Sequence, residues 1–160
     1  MEFLDELLRV IAALNRRNVE YVLVGGAALN VHGLIRATED VDLFVAATIE
    51  NVDALKRALR DVWDDPDIDT ITAADLLGDY PAIAYGPPSG TLSLDILTRL
   101  GDFATYADLE QTVVMLRDVP VRVATPRTLH WMKRDTVRAL DRADAEMLAE
   151  AFDFTPKERK

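Results

Sequence analysis

The chain has 160 residues, 49% hydrophobic and 29% charged, and a mean hydropathy near zero, which suits one soluble domain with a full core. It has no cysteine and two histidines, His32 and His130, so disulfides and thiolate metal sites are excluded and a histidine-based zinc centre is argued against. A net charge of −10 opposes a generic nucleic-acid binder, although Lys and Arg gather in one segment, Arg117 to Arg142.

No apolar run reaches membrane-spanning length, and the opening MEFLDELLRV lacks the basic region of a signal peptide, so a cytoplasmic protein with no membrane association is expected. Residues 3–17 carry Phe3, Leu4, Leu7, Leu8, Ile11 and Leu14 at helical spacing, with Arg16 and Arg17 at the end where cations suit the helix dipole. Residues 21–24, YVLV, read as a short buried strand. Gly25 and Gly26 end it in a tight turn, residues 27–32 can form a helix, and Gly33 is placed to stop that helix.

A second strand follows, in which Val41, Leu43 and Val45 alternate with Asp40, Asp42 and Phe44, so the two carboxylates share a face. At the strand rise their backbones lie roughly 6–7 Å apart. Carboxylates this close repel unless a cation lies between them, and a hard divalent ion such as Mg²⁺ takes such oxygen ligands together with phosphates and water. The alternative is an edge strand whose charges discourage aggregation.

Thr48 is placed to N-cap a helix with a buried stripe of Ile49, Val52, Leu55 and Leu59. Residues 64–69, DDPDID, lack the central glycine and terminal glutamate of a calcium loop and read as a solvated connection. Thr72 with Asp75 suggests a capped short helix ending at Gly78. Residues 81–85 and 91–97 flank the turn GPPSG and predict an antiparallel hairpin. In the second of these strands Leu92, Leu94 and Ile96 alternate with Ser93 and Asp95, which puts Asp95 on the polar face. Residues 111–116 and 119–124 predict two more strands around Arg117-Asp118. Thr125-Pro126 opens a helix running to about Arg138, and a last helix spans about 141–152. Asp141 and Asp144 read as its N-cap and N3 pair, and Lys133 alone reads as a solvated surface lysine. The expected organisation is one domain over 1–154 and a polar tail over 155–160.

The order hydrophobic residue, Gly-Gly, thirteen residues, then Asp-hydrophobic-Asp-hydrophobic resembles the nucleotidyltransferase superfamily that includes DNA polymerase β. The resemblance implies that Gly25 and Gly26 receive a nucleoside triphosphate and that Asp40 and Asp42 hold two metal ions, with Asp95 as the third carboxylate. It implies an α+β fold: a mixed central β-sheet flanked by helices, closed by a C-terminal helical pair. Extended backbone at Arg36-Ala37-Thr38 would put Arg36 and Thr38 on the same side as the Asp pair, where Arg36 either faces the triphosphate or offsets acidic charge.

Over residues 21–148 the pattern G-G-x-A-L, H-G, R-x-T-x-D-x-D, a carboxylate strand, T-P-x-x-L, M-K and R-x-x-D-x-x-D resembles the AbiEii-type nucleotidyltransferases of abortive-infection and toxin–antitoxin systems. Gly25, Gly26, His32, Gly33, Arg36, Thr38, Asp40 and Asp42 carry its first half. Asp95, Thr125, Pro126, Lys133, Arg138, Asp141 and Asp144 carry its second. The resemblance implies that Lys133 contacts nucleotide phosphates and that Asp141 supports the site, with Arg138 in the same basic segment. The implied reaction is Mg²⁺-dependent transfer of a nucleoside monophosphate from an NTP to a hydroxyl. Two Mg²⁺ ions would be held by Asp40, Asp42 and Asp95, and Asp95 would accept the hydroxyl proton. Implied partners beyond the NTP are tRNA or a cognate toxin or antitoxin protein, and an oligomer is left open. Alternatives of other classes are an aminoglycoside-like small-molecule acceptor, AMP transfer to protein, and a non-catalytic nucleotide-binding member of the fold.

Overall fold

The computed structural model describes residues 3–38, 40–78, 82–100, 104–134 and 139–152. Its centre is a six-stranded mixed sheet, in the order β3-β4-β2-β1-β8-β7. The strands are β1 (Tyr21–Val24), β2 (Asp40–Val45), β3 (Ala82–Tyr85), β4 (Ser93–Leu97), β7 (Gln111–Leu116) and β8 (Val119–Ala124). Three adjacent pairs, β3/β4, β1/β2 and β7/β8, are antiparallel; β2/β4 and β1/β8 run parallel. Two very short strands, β5 (Arg99–Leu100) and β6 (Ala104–Thr105), pair separately and have no counterpart in the sequence reading. At two residues each they are too short to leave an alternation.

The YVLV run is wholly buried, as an interior strand requires. Its Tyr21 hydroxyl donates to Asn15 Oδ1 at 3.0 Å and accepts from the Arg122 N–H at 3.2 Å, so burial leaves no polar atom unpaired there. Beside it, β2 lies in the middle of the sheet rather than at an edge, which removes the anti-aggregation reading of its two Asp residues. The GPPSG hairpin forms as predicted, with Ala84 opposite Asp95, although Pro81 lies outside the described residues. The β7–β8 turn places Arg117 and Asp118 at φ of 46° and 67°, the left-handed pair that a two-residue hairpin favours.

Helix α1 (Phe3–Arg16) packs on β8 and on α3 (Ile49–Val62), burying Leu7, Val10, Ile11 and Leu14. Thr48 caps α3 by accepting the Asn51 N–H at 3.0 Å. Val52, Leu55 and Leu59 are buried in α3, but Ile49 is exposed: in the first helical position it lies outside the core-facing arc. The acidic stretch is also more structured than expected. Residues Pro66–Thr70 form a 3₁₀ turn that buries Ile68, capped by Asp65, whose other oxygen accepts the Tyr85 hydroxyl at 2.7 Å. Thr72 caps α4 (Ala73–Leu77), which ends at Gly78.

Thr125 caps α5 (Pro126–Lys133), with Pro126 in its first turn, and α5 packs on α6 (Ala139–Phe152) as the C-terminal pair. The predicted continuation of α5 to Arg138 lies outside the described residues, as does the tail over 155–160. Among the described residues no helix is long and apolar enough to cross a membrane.

Candidate active site

The site is built where β1 ends and β2 and β4 run side by side. Register decides its geometry: Asp42 is the direct partner of Asp95, and Asp40 of Ser93, across the parallel β2/β4 ladder. On the other flank Asp42 pairs with Val24, the last residue of β1. Asp42 thus has Asp95 on one side and the glycine pair on the other. Asp40 sits one pleat away and is exposed, its Oδ1 accepting from Ser93 Oγ at 2.6 Å.

The glycines do not form a free turn. They open helix α2 (Gly25–Val31) directly from the strand, with Gly25 at φ +72°, a conformation that disfavours side chains. A Cβ at Gly25 would overlap the Asp42 carboxylate, lying 2.9 Å from its Cγ. At Gly26 a Cβ would sit 3.2 Å from Thr38 Cβ. Thr38 is held by its own loop, its Oγ1 donating to Asp40 O at 3.1 Å and accepting from Asp40 N at 3.2 Å. The helix ends at His32, and Gly33 follows at φ +90°. His32 Nε2 lies 2.8 Å from Ala124 O, so this ring ties α2 to β8 and faces a structural partner.

Two carboxylates facing each other in a half-buried cleft resist ionising together. The Asp42 pKa is pushed up to about 7, first by burial, then by a hydrogen bond with Asp95 and the negative charge of Asp95 and Asp40, with Lys133 opposing. A cleft of about 540 Å³ opens here, lined by Gly25, Asp42 and Asp95 on the sheet side and by Met132, Lys133 and Asp141 on the helical side. Ile83, Leu97 and Leu100 give it an apolar wall. Asp42 and Asp95 supply hard oxygen donors whose mutual repulsion a divalent cation relieves, and Gly25 keeps the approach to Asp42 clear, so the donor chemistry fits Mg²⁺. Among the described residues no three acidic or histidine side chains are drawn together as a ready-made coordination shell.

Among the described residues Lys133 is the cation lining this cleft, brought in by the last turn of α5. It is no solvated surface lysine: its Nζ donates to Asp141 Oδ1 at 3.2 Å and to Asp144 Oδ2 at 3.1 Å. Those two residues are not a capping pair. Asp141 lies inside the first turn of α6, and Asp144 is 1% exposed and fully committed to ion pairs. Their i, i+3 spacing puts both on one helix face, and that spacing was the available signal for a shared partner. Arg36 is not in the cleft lining; its Nε sits 3.3 Å from Asp144 Oδ1, and its Nη1 donates to Ala37 O at 2.8 Å. Arg138 lies outside the described residues.

Known proteins share this arrangement of chain. The crystal structure of ANT(2")-Ia in complex with adenylyl-2"-tobramycin aligns over 90% of this chain and 86% of its own, at 19% identity and a TM-score of 0.53. The solution structure of the antibiotic-resistance factor ANT(2'')-Ia aligns over 95% and 86%, at 17% identity and a TM-score of 0.57. An antigenic nucleotidyltransferase-like protein from Paracoccidioides brasiliensis aligns over 92% and 77%, at 19% identity and a TM-score of 0.54. These likenesses establish the nucleotidyltransferase fold. No curated protein matches the sequence. The family described as "Nucleotidyl transferase AbiEii toxin, Type IV TA system" matches residues 7–151, nearly the whole chain. The chain therefore belongs to the AbiEii nucleotidyl transferase toxin family and is a transferase of nucleotidyl groups.

Proposed function

We propose that the protein moves a nucleoside monophosphate from an NTP to a hydroxyl acceptor with Mg²⁺, in a toxin–antitoxin or phage-defence setting, with tRNA as the acceptor class. The observation that carries the reaction is the in-register Asp42–Asp95 pair beside a glycine that cannot bear a side chain, across a cleft from Lys133.

Asp42 and Asp95 would hold the metal, joined by Asp40, whose Oδ1 accepts from Ser93 Oγ. Two Mg²⁺ ions held there would supply charge neutralisation at the α-phosphorus and a lowered pKa for the attacking hydroxyl. Gly25 and Gly26 let the phosphates approach the backbone closely. Lys133 offsets the charge of the triphosphate, and Asp141 keeps its ammonium in the cleft. Asp95 accepts the hydroxyl proton, the hydroxyl oxygen bonds to the α-phosphorus, and pyrophosphate leaves.

The experiment is incubation with each labelled NTP, Mg²⁺ and either total tRNA, protein extract or a panel of cationic antibiotics. Label in RNA supports the acceptor proposed here. Asp42→Ala is expected to abolish transfer while leaving the circular dichroism spectrum unchanged; full activity in that folded variant refutes the site. A small cationic acceptor is the second reading. It is favoured by a cleft whose charged lining, among the described residues, is Asp42, Asp95 and Asp141 against Lys133, because a cleft of one sign concentrates the other.

A further inference from the structure

We infer that Arg36 and Asp144 are positioning residues that set the charge available on Lys133, and that Arg36 does not itself contact the triphosphate. The inference rests on the nucleotidyltransfer reading of the cleft. Lys133 lies within 3.2 Å of Asp141 and 3.1 Å of Asp144, so taken alone it is held by twice its own charge. A lysine so clamped is a poor partner for an anion, because the local sum is negative. Arg36 changes that sum. Its Nε lies 3.3 Å from Asp144 Oδ1 and donates at 3.5 Å to Oδ2, the oxygen that also accepts from Lys133. One buried carboxylate is thus shared by two cations. Within this cluster Arg36 and Lys133 set two positive charges against Asp141 and Asp144, so the carboxylates no longer outweigh Lys133 there.

The geometry also says why an arginine outside the cleft reaches into its chemistry. Arg36 is fixed from two further sides, its N–H donating to Asn30 Oδ1 at 3.1 Å and its Nη1 to Ala37 O at 2.8 Å. Asn30 belongs to α2, the helix opened by Gly25 and Gly26, and Ala37 leads toward Asp40. Asp144 is 1% exposed, so its charge must be met by protein partners. The pair therefore ties α6 to the loop entering β2, and Lys133 hangs from the same carboxylate.

A charge-balance role and a direct phosphate contact give opposite results in a double-variant test. Arg36→Gln is expected to raise the KM for NTP about tenfold with kcat less affected, since the balance at Lys133 turns negative. Adding Asp144→Asn removes the surplus negative charge, and R36Q/D144N is expected to return to within about threefold of the wild-type KM. Arg36→Lys, which keeps the charge without the fork, is expected to stay near wild type. A direct Arg36–triphosphate contact predicts no rescue in R36Q/D144N, and that result overturns the inference. A readout independent of turnover separates this from failure of the functional reading. In thermal unfolding without NTP, R36Q and D144N each lower Tm, and the double variant is expected to lose less than the two shifts added together. If the wild type transfers no nucleotide while this coupling is present, the reaction assignment fails and the ion-pair network stands. Additive Tm shifts dispose of the network itself.

Discussion

At the scale of single residues, Asp42 shows how a site can be stored in a fold at some cost to its stability. Burial and the facing Asp95 push its pKa up to about 7, whereas an unfolded aspartate titrates near 4. Between those values the folded chain binds a proton that the unfolded chain has released. The group therefore favours folding at low pH, and that stability is lost as pH rises through about 7. Removing the charge removes the penalty. In metal-free buffer the wild type is expected to lose Tm relative to Asp42→Asn as pH rises from 5 to 8, about 2–4 °C for each kcal/mol involved. Added Mg²⁺ is expected to restore the wild type at pH 8 and to do little for Asp42→Asn. A wild-type Tm that tracks Asp42→Asn across the whole range would remove the repulsion on which the metal assignment depends. Gly25 belongs to the same logic, since only a residue without a Cβ leaves room for the Asp42 carboxylate.

At the scale of elements, the caps were legible because their chemistry is local. Thr48, Thr72 and Thr125 each accept a backbone N–H three residues on, in the positions the sequence marks. Thr125 opens α5, the helix whose last residue is Lys133. Thr125→Ala is expected to cost about 1 kcal/mol, a Tm loss of about 2–4 °C, because the Thr128 N–H loses its side-chain acceptor. Turnover per folded molecule is expected to hold, because Asp141 and Asp144 on α6 fix Lys133 at the other end. A large fall in kcat at unchanged Tm would show that α5 is placed by its cap instead.

The alternation in β2 and β4 was equally legible, and it placed Asp42 and Asp95 on polar faces. What alternation could not supply was register, the fact that Asp42 meets Asp95 while Asp40 meets Ser93. Register comes from long-range pairing, as does the central position of β2. The same limit explains Asp141 and Asp144. Local spacing offers a capping reading, and only the packing of α5 on α6 brings Lys133 between them. The acidic run at 64–69 exposes Asp64, Pro66, Asp67 and Asp69 as a solvated connection should, while the burial of Ile68, a single apolar residue among charges, depends on what the fold puts beneath it.

At the scale of the whole molecule, a chain of net charge −10 must bind a polyanionic substrate. Two members of the basic segment from Arg117 to Arg142 are drawn to partners in different places. Arg117 at the β7–β8 turn pairs with Asp5 at 2.6 Å, while Lys133 is turned into the cleft. On the proposed mechanism attraction for the triphosphate is short-ranged, resting on Lys133 and Mg²⁺, while the long-range field of the chain repels it. Screening acts on the long-range part first, since the Debye length falls from about 30 Å at 0.01 M salt to about 8 Å at 0.15 M. At fixed free Mg²⁺ the association rate of NTP is expected to rise by about two- to fivefold over that interval, where a site set in a basic surface would slow. Stopped-flow binding of a fluorescent NTP analogue measures it, and a rate that falls with salt would mean that a positive surface steers the nucleotide. The same field gives the two acceptor classes opposite signs. A cationic acceptor is drawn in from a distance and its KM climbs with salt. A tRNA is repelled at a distance, so its affinity gains from the first increments of salt before its own phosphate contacts begin to weaken.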